Sequence, residues 1–156
     1  MLTRIKNAID ECKKHIASAA INGTVIEYYL TQYLLILLSA DMQQSIYECI
    51  EIKTSQIKNT PIENYILSTR KNIIREVSIS GVTGFIKHFG NEARQRFDDF
   101  IKDKEEIITR YGNAITDRHL IAHNHDIKIT FSEIEKAVEG AEVLLTAVTI
   151  ALSIDK

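Results

Sequence analysis

The hexapeptide "RHLIAH", Arg118 to His123, sets an arginine and two histidines within six residues of a 156-residue chain that has five histidines in all. A guanidinium grips a phosphate through two parallel hydrogen bonds, and an imidazole moves a proton near neutral pH. Together they suit metal-free cleavage of RNA. Ribose brings its own nucleophile, the 2′-OH, so the protein needs only a positioned acid or base and a cation for the charge on the phosphoryl oxygens. Two other readings stand beside this one. Cations near a helix C-terminus complement its dipole at about 0.3–1 kcal/mol each. His119 and His123, four residues apart, could also share a metal with His125 or Asp126, although the glutamate of an HExxH motif is absent.

Geometry constrains the first reading. On an ideal helix, positions 118 and 123 stand about 140° apart around the axis. Either the helix ends near His123 and frees that side chain, as the left-handed tolerance of Asn124 favours, or each group meets its counterpart from a second copy of the chain. The two are compatible. Tyr111 lies seven residues before Arg118, two turns back on nearly the same face, so its ring and hydroxyl are expected to line the same surface. His119 neighbours His123 if the last turn stays helical.

The elements that must position these groups read as helices, with almost no strand signal. Thr3 to Ala20 carries Ile5, Ile9, Cys12 and Ile16 at spacings of three and four, one apolar stripe. Asn22-Gly23 is a turn, and a long helix follows from Thr24 to about Lys58. Its first half is apolar on nearly every face, so it is either the centre of a bundle or meets a second subunit. "NTPIENYI" opens the next helix, with Thr60 as N-cap, Pro61 at the first position and Glu63 closing a capping box. That helix is expected to reach about Val77 before "SISGVTG" breaks it and "FIKHFG" ends on Gly90. Asn91 then caps "NEARQRFDDFIKDK". The stretch "EEIITRYGNAITDRHLIAH" forms the penultimate helix, with Gly112 inside it for the close approach of another backbone or of a ligand. "NHDIKIT" connects to a final helix opened by a second capping box, Ser132 with Glu135. The fold class is all-α, an up-and-down bundle of four to five main helices in one domain spanning 1–156.

Composition narrows the class. Apolar residues at 45% and charged residues at 26% describe a soluble globular domain. A net charge of -2 excludes a strongly basic nucleic-acid coat. Charge is uneven, though. Leu67 to Arg96 contains Arg70, Lys71, Arg75, Lys87, Arg94 and Arg96 against Glu76 and Glu92, so that stretch is either a solvated face or a patch that meets phosphates. Arg70, Lys71 and Arg75 are the RNA-binding candidates within it. Cys12 and Cys49 show no CxxC spacing and read as reduced thiols in or near a core. With no signal segment at the start, a cytoplasmic protein is expected. The longest apolar run, "YLLILL", is flanked by Glu27, Gln32, Ser39 and Asp41 and falls short of the roughly 20 residues of a membrane span.

The hexapeptide also resembles the motif of the HEPN domain, a small all-helical family. Many members carry an arginine, a polar residue (usually Asn, Asp or His), three variable residues and a histidine, which Arg118, His119 and His123 match. The segment sits where the family has it, at the end of a helix before a long last helix. "RHLIAHNHDIKITFSEIEKAV" is similar to a branch associated with ribonuclease-L-like and other defence or stress RNases. The resemblance implies a homodimer with motifs facing across a shared cleft, and metal-independent endoribonuclease activity with no cofactor. It further implies that Arg118 steadies the scissile phosphate, His123 moves the proton or polarises the 2′-OH, and His119 orients the pair or contacts RNA. The superfamily also holds non-cleaving modules, so the alternative is a binding or scaffold domain paired with a nucleotidyltransferase or an antitoxin.

Overall fold

The computed structural model describes residues 2–74, 76–123 and 126–154, apart from the side chains of Ile73 and Ala122. Seven helices and no strand occur among them: α1 (Thr3–Ala19), α2 (Val25–Ser55), α3 (Thr60–Ile73), α4 (Ile79–Lys87), α5 (Asn91–Ile101), α6 (Glu105–Ala122) and α7 (Phe131–Ala151). The all-α expectation holds, but the number of helices exceeds the four or five read from the sequence. One of the added helices begins at "SISGVTG". Ser78 is extended and its hydroxyl accepts the Gly81 N–H at 3.1 Å, capping a new helix where a break was expected. α3 accordingly ends at Ile73, short of Val77.

Two further caps moved for the same reason: a capping side chain must sit on an extended residue just before the helix. Asn59, not Thr60, caps α3 by accepting the Ile62 N–H, leaving Pro61 in the first turn where its missing donor costs nothing. Thr130, not Ser132, forms the capping box of α7, with Glu133 as its partner. Glu135 is thereby released to pair with Lys13 of α1. Asn91 does not cap α5 but is its first residue: Gly90, with φ of +92°, stands at the N-cap, and no side chain caps this end.

The centre of the bundle is α7, which packs against α6, α5, α2 and α1. Its buried face includes Ala137, Gly140, Ala141, Ala147 and Ala151, small residues that let neighbouring backbones approach. A Cβ on Gly140 would collide with the Ile107 carbonyl and lie 2.9 Å from the Tyr111 Cβ, so α6 and α7 are in near-backbone contact there. α1 lays its stripe of Ile5, Ile9, Cys12 and Ile16 on this core as the spacing predicts. No side chain of its own caps α1. Asp41 of α2 accepts the Ile5 N–H at 3.0 Å instead, and Lys6 reaches Glu142 of α7 at 2.7 Å.

Helix α2 is about 46 Å long at 1.5 Å per residue. Leu34, Leu35, Leu38, Met42 and Ile46 face the core. Its opposite side is not covered: Ile26, Tyr29, Tyr33 and Ile36 are exposed, Tyr29 by 61% and Tyr33 by 52%. Among the described residues, no helix is long and apolar enough to cross a membrane.

Candidate active site

The hexapeptide closes α6. Helical hydrogen bonding runs to Ala122, and His123 is the C-cap, with φ -102° and ψ 14° and its N–H donating to the Leu120 carbonyl at 3.1 Å. The helix therefore ends where the motif needs it to, and the exposed His123 side chain is released from strict helical periodicity. Arg118 and His119 are half-buried on the last turns. Among the described residues neither takes part in an ion pair or a side-chain hydrogen bond with another. Asn124, expected to ease the turn, and His125 lie outside the described residues, and no group of three or more potential metal ligands gathers among those described.

The connection after the motif is held from two sides. The Tyr28 hydroxyl, near the start of α2, donates to Asp126 Oδ1 at 3.1 Å and accepts from the Ile127 N–H at 3.4 Å. On the other side, Asp117 Oδ2 accepts the Lys128 and Ile129 N–H groups at 2.7 and 2.6 Å. Among the described residues Asp117 is the one buried charged residue, 8% exposed. Sequence reasoning missed it, although a signal was present. A carboxylate late in a helix faces the negative end of the dipole and needs donors to be stable there. It stands directly before Arg118, so the segment that carries the motif is anchored by the residue beside it.

Tyr111 corrects an expectation. It is fully buried, and its hydroxyl donates to the Val77 carbonyl at 2.5 Å, so it does not line the surface of Arg118. Burial raises the phenol's pKa well above its ordinary value. The two residues do share one face of α6, but two turns earlier that face lies inside the bundle. Gly112 beside it is packed closely by a side chain rather than by another backbone: Ile79 Cδ1 of α4 would lie 2.8 Å from an added Cβ.

The basic stretch is largely committed elsewhere. Arg70 pairs with Glu51 at 2.9 Å and lies over the Tyr47 ring. Arg94 pairs with Asp98, and Arg96 donates to the Ala151 carbonyl at 2.8 Å. Lys71 is exposed on α3, which packs on α2, whereas Arg75 lies outside the described residues. Both cysteines are buried, and burial pushes the Cys49 thiol up to about 11.

The model of the RiboL-PSP-HEPN family matches residues 1–153. No curated protein and no solved structure matches the chain. With a match running from the first residue through the last helix, the chain belongs to the RiboL-PSP-HEPN family.

Proposed function

We propose that this HEPN domain, residues 1–156, is a cytoplasmic, metal-independent endoribonuclease of the toxin, defence or stress kind that works as a homodimer. The observation that carries the reading is the end of α6: Arg118 half-buried and outside any ion pair among the described residues, with His123 exposed at the C-cap one turn beyond. In the reaction the 2′-oxygen attacks the adjacent phosphorus and the P–O5′ bond breaks, leaving a 2′,3′-cyclic phosphate and a 5′-hydroxyl. One imidazole takes the 2′-proton and a second gives a proton to the departing 5′-oxygen. A dimer supplies that second imidazole as His123 of the other copy. Arg118 balances charge on the non-bridging oxygens, and His119 orients the pair or contacts the strand.

The exposed stripe on α2 supports a paired state. Ile26, Tyr29, Tyr33 and Ile36 recur at spacings of three, four and three, which is the seam of a helix pair. Tyr28, next to this stripe, holds Asp126, so the seam borders the segment that follows the motif. The same stripe also favours the second reading, a non-catalytic module that docks an antitoxin or a nucleotidyltransferase.

The test is RNA cleavage by purified protein in EDTA. Wild type is expected to cut, while Arg118→Ala and His123→Ala are expected to lose activity by at least a hundredfold and to melt like wild type. Cleavage retained in both variants refutes the catalytic reading. Absent cleavage together with a stable hetero-complex selects the binding module.

A further inference from the structure

Arg110, Asn113, Asp117 and Leu120 recur at spacings of three, four and three, so they share one side of α6. That side does not face the core. It forms one wall of a cleft of about 670 Å³, closed by Lys128 and Ile129 of the connection and by Glu133 and Lys136 of the first turns of α7. Pockets that hold small molecules run from about 300 to 1,000 Å³.

The charges in this cleft are arranged unequally. Asp117 Oδ2 is occupied by two backbone N–H groups. The Glu133 carboxylate is turned to the Thr130 N–H at 2.8 Å and the Thr130 hydroxyl at 2.7 Å. Arg110 pairs with Glu106 at 2.7 Å in a partly exposed contact, a kind that is weak and readily exchanged. Lys128 and Lys136 are exposed and join no ion pair among the described residues. One oxygen of each carboxylate is thus taken by the protein's own donors, and Lys136 also acts on the Glu133 carboxylate through space, while both ammonium groups stay exposed. Leu120 and Ile129 add an apolar floor.

We infer that this cleft is a subsite for a phosphate-bearing ribonucleotide, gripped by Lys128 and Lys136 and laid against Leu120 and Ile129. Its place along α6 says which nucleotide. Leu120 is one turn before His123 and accepts its N–H. Leu120 and Arg118, both within the helix, stand about 160° apart around the α6 axis. A strand seated in the cleft reaches His123 from the side away from Arg118, so the subsite takes a nucleotide flanking the scissile one. The assignment deepens the ribonuclease reading and rests on it for the word "scissile", but not for binding.

The test compares the 156-residue chain with its Lys128→Ala/Lys136→Ala variant. RNA affinity is read by fluorescence anisotropy of labelled single strands in a His123→Ala background, where nothing is cut. Each phosphate contact on a single strand contributes about 0.7 to the slope of log affinity against log salt, so losing two lowers the slope by about 1.4 and weakens binding about tenfold near 0.15 M salt. In the cleaving background KM rises by the same factor while kcat holds. Lys128→Arg/Lys136→Arg retains binding, and melting is unchanged in both. A second arm titrates adenosine 5′-monophosphate: lysine-dependent binding assigns a free nucleotide as well as a strand, while its absence beside a lysine-dependent RNA affinity assigns the strand alone. Equal RNA affinity and salt slope in wild type and the double alanine variant, with no lysine-dependent nucleotide binding, overturns the subsite. Lysine-dependent binding by a protein that cuts nothing keeps the subsite and sinks only the nuclease.

Discussion

Asp117 offers the sharpest perturbation. Its Oδ2 holds two backbone N–H groups of the connection at 2.7 and 2.6 Å, and the residue is 8% exposed. Hydrogen bonds to a charged acceptor contribute about 1.5–3 kcal/mol each. Asp117→Ala removes both, but Lys128 is exposed and Ile129 half-buried, so water recovers part of the loss. The expected cost is about 2–4 kcal/mol, which at about 2–4 °C per kcal/mol for a chain of this size lowers the melting temperature by roughly 4–16 °C. Asp117→Asn keeps an acceptor and loses the charge, so about 1 kcal/mol is expected. Urea unfolding followed by circular dichroism measures both values, and an unchanged m-value confirms that the effect is on stability. Hydrogen exchange locates it: the Lys128 and Ile129 amides are protected in wild type and exchange freely in the alanine variant. On the proposed ribonuclease reading, RNA cleavage is expected to fall with them, since His123 sits at the head of the loosened segment. Equal protection of those two amides in wild type and Asp117→Ala would show that the carboxylate does not hold the connection.

Three further outcomes follow from the packing and the titrating groups. Gly140→Ala gains about 1 kcal/mol in helix propensity, but its methyl meets the Ile107 carbonyl, a backbone atom that cannot turn aside. A net destabilisation of about 1–3 kcal/mol is expected in urea titrations, and a stabilised variant would contradict the close α6–α7 contact. The Thr130 N–H, then the Thr130 hydroxyl, hold the Glu133 carboxyl below its ordinary value of 4.5. Its contribution is therefore complete above that value and is lost as pH falls through the lower folded value. Glu133→Gln should cost up to about 1 kcal/mol at pH 7 and converge with wild type in acid; a gap that persists at pH 3 would contradict the assignment. Finally, Cys49 is buried with its thiol raised to about 11, and burial raises Cys12 too. At pH 8 both should react slowly with a thiol reagent in the native protein and fast in urea, whereas fast native reaction would mean that one is open to solvent.

Much of the helical layout was legible because it is written in local spacing. The stripe Ile5, Ile9, Cys12, Ile16 predicts both α1 and its buried face, and the turn at Asn22-Gly23 separates it from a long α2. An end of α6 near His123 was legible as one of two ways to satisfy the motif's spacing, and the helix does end there. Caps were legible only as alternatives: Thr130 with Glu133 and Ser132 with Glu135 both fit the same pattern, and the choice fell to the residue that is extended. Tyr111 shows the limit of the wheel. It shares a face with Arg118, yet whether that face is core or surface changes along the helix as neighbouring helices begin and end.

The amino-acid sequence by itself determined an all-helical chain, the turn between its first two helices and the hexapeptide that carries the family's signature. All of these depend on contacts between residues a few positions apart, which periodicity records. Tertiary structure alone decided that α7 is the centre, that Tyr111 is interior, that half of α2 stays uncovered, and that Asp117 pins the connection from eleven residues away. Those outcomes depend on which distant backbones approach closely enough to exclude water, and no spacing along one helix encodes that.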